Sequence, residues 1–191
     1  MKLKEKLFPA KDPAIIKIYG RFNCDLEERV RRQMKEVFAK KEKPDGLILL
    51  INSTGGSTRT LTKFTNGLLK LGLPCMGFVE DEALSSGAEL LLSCQYRVAT
   101  PFAKICFHHG SVDIDIDALL DPEILMHISA DALAQKKIYL ERFSRATGQT
   151  IDNTRTIYRA DSMISAVRAV ELGILHETTE KIFPCSPEEL F

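Results

Sequence analysis

Apolar segments alternate with charged, helix-periodic segments along the first half of the chain. The apolar segments have the length of short strands and occupy residues 15–19, 46–51 and 74–79. The segments between them have helical spacing and occupy residues 26–41 and 61–69. Gly72 ends the second of these predicted helices. Strands and helices that alternate in this order predict an α/β fold built from βα units.

The second half of the chain has a different pattern, in which helices dominate. Its predicted elements are an apolar segment at 88–92, strands at 97–99 and 104–107, helices at 122–147 and 165–172, and a brief strand at 174–176. Gly148 and Gly173 stop the two helices. No linker or repeat interrupts the pattern, so we expect residues 1–191 to form a single domain.

Composition narrows the classes of function. Twenty-six basic residues balance 26 acidic ones, and the sequence pI is about 6.9. Such a chain has no strong field to attract nucleic acid or an anionic membrane. The first 13 residues lack the apolar stretch of a secretory signal, and apolar runs such as 47–51 are too short to span a bilayer. We therefore expect a soluble cytoplasmic protein without a nucleic-acid or membrane partner.

The cysteines do not form a recognisable ligand or disulfide pattern. Five are scattered along the chain without Cys-x-x-Cys spacing: Cys24, Cys75, Cys94, Cys106 and Cys185. An odd, scattered set is typical of reduced cysteines, mostly in the core. We expect no metal site and no cofactor.

Two turns between a predicted strand and a predicted helix contain candidate chemistry. The first, residues 51–57, contains the adjacent glycines Gly55 and Gly56, which let a backbone approach a bound group and point its N–H groups at it. The second, residues 84–88, would present Ser85 as a nucleophile on a sharp turn. A tight glycine turn and a serine that caps a helix are the alternative interpretations.

A third segment ends a predicted strand with two histidines. His108 and His109 follow the apolar residues Cys106 and Phe107 and precede Gly110. At this place an imidazole can leave the sheet and meet a nucleophile, although a lone histidine is more often a surface or core residue.

Together and in this order, the three segments resemble the Clp protease proteolytic subunit family, ClpP. The family pattern Ile-Asn-Ser-Pro-Gly-Gly matches residues 51–56 except at Thr54, its nucleophile turn matches residues 84–88, and its strand ending in histidine matches residues 105–110. Further matches occur at Arg97, Pro101, residues 147–149, Asp161, residues 165–166 and residues 171–173. The resemblance covers about residues 15–178.

The resemblance implies a fold, an activity and a set of site residues. The fold would be the ClpP/crotonase-like spiral of βα units with a long handle helix. Ser85 would be the nucleophile of a serine endopeptidase and His108 its general base, while the Gly56 and Ser86 amides would form the oxyanion hole. Its substrates would be peptides or unfolded proteins.

One member of the family's catalytic triad is missing. Ile157 occupies the position of the triad aspartate, and isoleucine cannot accept a hydrogen bond from an imidazole. Asp161 is a candidate substitute, although it aligns with a different family aspartate that usually has a structural role. Asp152 and Asn153 are weaker candidates.

Three carboxylates before the nucleophile turn are a second departure from the family. Glu80, Asp81 and Glu82 replace small or uncharged residues. We interpret them mainly as a solvated segment, with Glu80 and Asp81 as alternative orienting groups. We interpret His109, which replaces a neutral polar residue, as a neighbour of the site.

The resemblance also bears on assembly. Residues 113–117 alternate Asp and Ile where the family has its handle strand, so we expect a homo-oligomeric ring. The short N-terminal segment differs from the family's axial pore loops, which argues against docking to a Clp-type ATPase.

Three hypotheses for the function remain open. The first is a ClpP-like serine peptidase with a Ser85–His108 dyad or an unusual third residue. The second is a catalytically inactive ClpP-like subunit of a mixed ring, which Ile157 favours. The third is a crotonase-type enzyme acting on acyl thioesters, which has no need for a serine–histidine pair.

Overall fold

In the computed structural model of the chain, residues 3–110, 116 and 120–180 are described. They form one sheet of seven strands: β1 (Pro13–Tyr19), β2 (Gly46–Ser53), β3 (Cys75–Leu84), β4 (Tyr96–Ala99), β5 (Lys104–Cys106), β6 (Ile164–Ser165) and β7 (Glu177–Thr178). Helices lie before and between the strands: α1 (Leu3–Leu7), α2 (Cys24–Ala39), α3 (Thr58–Leu71), α4 (Ser86–Leu91), α5 (Pro122–Thr147), α6 (Ile151–Ala160) and α7 (Ala166–Glu171). The α/β fold expected from the sequence is confirmed.

The sheet is mostly parallel and divides at β3. Strands β1, β2, β3, β4 and β7 are neighbours in that order, and each pair is parallel. The first part of β3 pairs with β4, whereas its last three residues pair with β5. Strand β6 is antiparallel to β5. The carboxyl ends of β3 and β5 therefore lie side by side.

An irregularity in register accompanies this change of partner. Ile51 of β2 pairs with Val79, but Ser53, two residues later, pairs with Ala83. Three residues of β3, Glu80, Asp81 and Glu82, lie opposite the single residue Asn52 of β2, so the acidic segment forms a bulge within the strand. The sequence-based strand ended at residue 79 because charged residues are unfavourable in a buried strand.

Apolar side chains cover both faces of the central strands, as is typical of parallel sheets. Along β2, Leu47, Leu49 and Ile51 belong to the larger core under the helices, and Ile48 and Leu50 belong to a second cluster on the opposite face. The alternation follows from the two-residue period of a strand. The sheet is therefore a rigid support for the turns at its carboxyl edge.

Several predicted bounds differ from the structure. The strand predicted at 174–176 lies later, at β7, because the amides of Ile174 and Leu175 both donate to the Ala169 carbonyl in the turn after α7. Helices α1 and α6 and the two-residue strand β6 were not predicted. The expected handle strand at 113–117 lies outside the described residues except for Ile116, which is exposed.

Within the part of the chain that the structure describes, none of the helices combines the length and apolar character that crossing a membrane requires.

Candidate active site

Ser85 lies between β3 and α4 in a conformation that few non-glycine residues adopt. Its φ of 53° and ψ of −118° place it in a region that costs energy for a residue with a Cβ. In the described residues, only Asp161 shares a positive φ among the non-glycine residues. Ser85 occupies the N-cap position of α4, but its side chain makes no capping hydrogen bond. The hydroxyl is therefore not used for the helix cap.

Gly55 lies directly against the Ser85 turn. A Cβ added to Gly55 would come within 2.6 Å of the Leu84 carbonyl oxygen and 2.6 Å of Ser85 Cβ, and its φ is +86°. Both the space and the backbone conformation exclude any other residue. The first glycine turn and the nucleophile turn are thus in contact.

The neighbouring amides leave donors available at this contact. Phe22 donates to the Gly55 carbonyl at 2.7 Å, Ser57 donates to the Phe22 carbonyl at 2.9 Å, and the Ser86 hydroxyl donates to the Gly56 carbonyl at 2.8 Å. Within the described residues, no hydrogen bond is recorded from the Gly56 or Ser86 amide. Two unused N–H groups beside a serine are the requirement for an oxyanion hole.

His108 follows the strand that pairs with the end of β3. Leu84 pairs with Cys106, and the Ser85 amide donates to the Cys106 carbonyl at 2.9 Å. His108, two residues farther along, is half-buried. The hydrogen bonds of the described residues include none between the Ser85 hydroxyl and His108. The fold brings both residues to one edge of the sheet without joining their side chains.

His109 faces the helices. Its ring centroid lies 5.6 Å from that of Tyr158, and its Nε2 is buried without a hydrogen-bond partner in the described part of the chain. Burial, followed by the nearby charges of Lys136 and Arg159, lowers the pKa of His109. These surroundings therefore favour the neutral imidazole over the protonated one.

Ile157 is packed as an apolar residue. It lies on α6, is half-buried and contacts the larger core. Asp161 follows this helix in a left-handed conformation, and its Oδ1 lies 3.8 Å from Cys106 Sγ. Among the described residues, no hydrogen bond joins Asp161 to His108.

The weaker candidates for the third member have other partners. Asp152 pairs with Arg155 at 2.7 Å, and Asn153 donates to Gln149 Oε1 at 3.3 Å. Asp81 accepts a 2.8 Å hydrogen bond from Asn52. No orienting group for His108 is recorded among these residues or Glu80.

Sequence reasoning missed a buried charged cluster at helix α4. Glu89 is only 6% exposed, accepts a hydrogen bond from the Tyr158 hydroxyl and forms a 2.9 Å ion pair with Arg142. Burial raises the pKa of Glu89, and the positive Arg142 opposes this shift. The signal was a glutamate inside an otherwise apolar run, residues 88–92.

Two comparisons with known proteins bear on the family of the chain. The family model described as Clp protease matches residues 6–181. The chain belongs to the Clp protease family. It is also 25% identical, over 136 residues, to the ATP-dependent Clp protease proteolytic subunit 1 of Bifidobacterium longum (strain NCC 2705). That alignment covers 70% of this chain and 57% of the relative.

The described residues contain no group of three or more His, Cys, Asp or Glu side chains arranged to hold a metal ion.

Proposed function

We propose that this Clp protease family member is a serine endopeptidase that hydrolyses peptides or unfolded proteins through Ser85. The observation that carries the proposal is the backbone of Ser85, which has a positive φ at the junction of β3 and α4 and a hydroxyl free of the helix cap. Strain of this kind persists where the surrounding structure enforces it, and it occurs preferentially at active sites.

His108 acts as the general base. It accepts the proton of the Ser85 hydroxyl as the oxygen attacks the peptide carbonyl, and it returns the proton to the leaving amine. Water then hydrolyses the acyl-enzyme with the same base. The Ser85 and His108 side chains come within hydrogen-bond distance when substrate binds, since catalytic hydrogen bonds are often long in a resting enzyme.

The Gly56 and Ser86 amides bind the oxyanion. Their N–H groups are unused within the described residues and lie beside the glycine turn that contacts Ser85. Removing one donor of this kind costs roughly 100- to 1,000-fold in turnover. The Ser86 hydroxyl supports the arrangement because it holds the Gly56 carbonyl at 2.8 Å and fixes the direction of the peptide group.

The enzyme works in a ring of like subunits. Along α5, the side chains of Met126 and Leu133, which are seven residues apart and therefore on one face of the helix, are 63% and 66% exposed. Large apolar side chains exposed on one helix face are typical of a helix that is covered by another subunit. We infer a homo-oligomer.

Peptide turnover tests the function. The wild-type protein should cleave short fluorogenic peptides, and Ser85→Ala should lower kcat at least 1,000-fold. Ser162→Ala, at an exposed position after α6, is the matched control and should keep wild-type turnover. Equal turnover by the wild-type and Ser85→Ala proteins would contradict the proposal.

A second candidate function is an inactive subunit of a mixed ring, which the apolar packing of Ile157 favours. In that case the purified protein neither cleaves peptides nor reacts with serine-directed reagents, and it assembles with an active family member. Native mass spectrometry of the mixed proteins distinguishes this outcome from an active homo-oligomer.

A further inference from the structure

Tyr158 contacts both parts of the proposed active site from the position next to Ile157. Its ring packs against Phe107 and His109, with centroid distances of 5.6 Å to each. These two residues flank His108 in the chain. Its hydroxyl donates to Glu89, which lies one helical turn after Ser85.

Glu89 is well placed to transmit this contact to the nucleophile turn. Its backbone amide donates to the Ser85 carbonyl at 3.0 Å, and its carboxylate is held by Tyr158 and Arg142. A buried carboxylate with two donors occupies a fixed position, because any displacement leaves a charged group unsatisfied.

We propose that Tyr158 and Glu89 are a positioning pair that holds the His108 segment in register with the Ser85 turn. The inference rests on the proposed function. In the family pattern, the residue at position 157 would orient the histidine through a carboxylate. In this chain helix α6 contacts the site through the next residue, Tyr158, and orients the backbone on either side of His108 instead.

Aromatic rings surround the hydrogen bond between the Tyr158 hydroxyl and Glu89. Phe143 contacts Tyr158 edge-on at 5.7 Å and Phe107 edge-on at 4.9 Å. Helices α4, α5 and α6 meet at this cluster with the end of β5. Loss of the Tyr158 hydroxyl alone would release α4 from α6 while leaving the ring packing in place.

The rate at which a fluorophosphonate reacts with Ser85 tests the inference. Tyr158→Phe should lower this rate at least tenfold and lower kcat for a peptide while KM changes less than twofold. In a Glu89→Leu background, the same change should have no further effect, because the hydroxyl has no acceptor there.

Tyr96→Phe is the matched control. Tyr96 is similarly buried and lies in the cluster on the opposite face of the sheet, where burial, followed by the nearby Glu177, raises the pKa of its hydroxyl. In Tyr96→Phe, the rate at which the fluorophosphonate reacts with Ser85 should stay within twofold of the wild-type rate. A reactive wild type with an unchanged rate in Tyr158→Phe would overturn the positioning role and leave the proposed function intact.

A wild-type protein that does not react at all refutes the proposed function by itself. The positioning role is then tested by NMR of the His108 ring. The signals that disappear in His108→Gln identify those of His108. Tyr158→Phe should shift or broaden them, and Tyr96→Phe should not. Unchanged His108 signals in both variants would overturn the inference.

Discussion

The Ser85 amide donates a 2.9 Å hydrogen bond to the carbonyl oxygen of Cys106. This bond extends the pairing with β5 to Ser85, one residue beyond the end of β3. It fixes the start of the nucleophile turn relative to the strand that leads to His108. The position of Ser85 is therefore determined by the sheet, whose backbone hydrogen bonds are buried and hard to displace.

Ser85→Gly should be more stable than Ser85→Ala. A glycine relieves the strain of φ 53°, which costs about 1–3 kcal/mol, and part of this gain is lost to the greater freedom of glycine in the unfolded chain. We expect a net difference of about 1 kcal/mol in the free energy of unfolding, measured in urea. Equal stability of the two variants would show that the serine conformation is not strained.

Gly55→Ala should disrupt the site. The added Cβ would lie 2.6 Å from the Leu84 carbonyl oxygen, a contact that requires backbone movement. We expect a loss of about 2–4 kcal/mol in stability and loss of peptide turnover. Gly67→Ala is the control, since its Cβ would meet nothing within 4 Å and alanine favours a helix. A Gly55→Ala protein with wild-type turnover would contradict the contact between the two turns.

Ile157→Asp should test whether the missing carboxylate limits catalysis. Position 157 is half-buried, so the change should lower stability by about 1–3 kcal/mol while raising kcat at least tenfold. Ile157→Asn is the matched control, because it has the same shape without the charge and should not raise kcat. Equal kcat in the two variants would indicate that another group already orients His108.

Stability should fall as the pH drops from 6.5 towards 4 through His176. Burial, followed by the positive charge of Arg97, lowers the pKa of His176 to about 4, and its Nδ1 accepts the Arg97 amide at 2.9 Å. Between pH 4 and pH 6.5, the unfolded chain therefore binds more protons at His176 than the folded protein does. The contribution of neutral His176 to the free energy of unfolding is complete above pH 6.5 and is lost progressively as the pH falls towards 4.

Partial exposure of His176 limits this contribution to about 1–2 kcal/mol. His176→Gln keeps an acceptor for the Arg97 amide without titrating. The difference in unfolding free energy between the wild type and this variant should therefore change with pH across the window. If the difference in unfolding free energy stayed constant from pH 7 to pH 4, His176 would not be the source of the pH dependence.

The sequence was sufficient to predict much of the fold because apolar periodicity and glycine stops are local signals. The bounds of α5 were predicted to the residue from Pro122 and Gly148, and the structure shows its N-cap, Asp121, and a left-handed Gly148. The extension of β3 through three acidic residues was missed, because it depends on pairing with β5 far along the chain.

The candidate site was predictable only in part for the same reason. Ser85, His108 and the glycine turn could be recognised by residue type and order. The sequence could not predict that Glu89 is held by Arg142 and Tyr158, since these partners come from two distant helices. Likewise, Arg97 matched the family pattern, but only the structure shows its guanidinium bound to four backbone carbonyls, those of Cys94, Ala146, Gly173 and Ile174.

The most direct test of the account is the mass of the protein after treatment with a fluorophosphonate, followed by peptide mapping. The account predicts a single adduct located on Ser85 in the wild type and none in Ser85→Ala. An adduct on another serine, or no adduct under conditions that label an active serine peptidase, would contradict it.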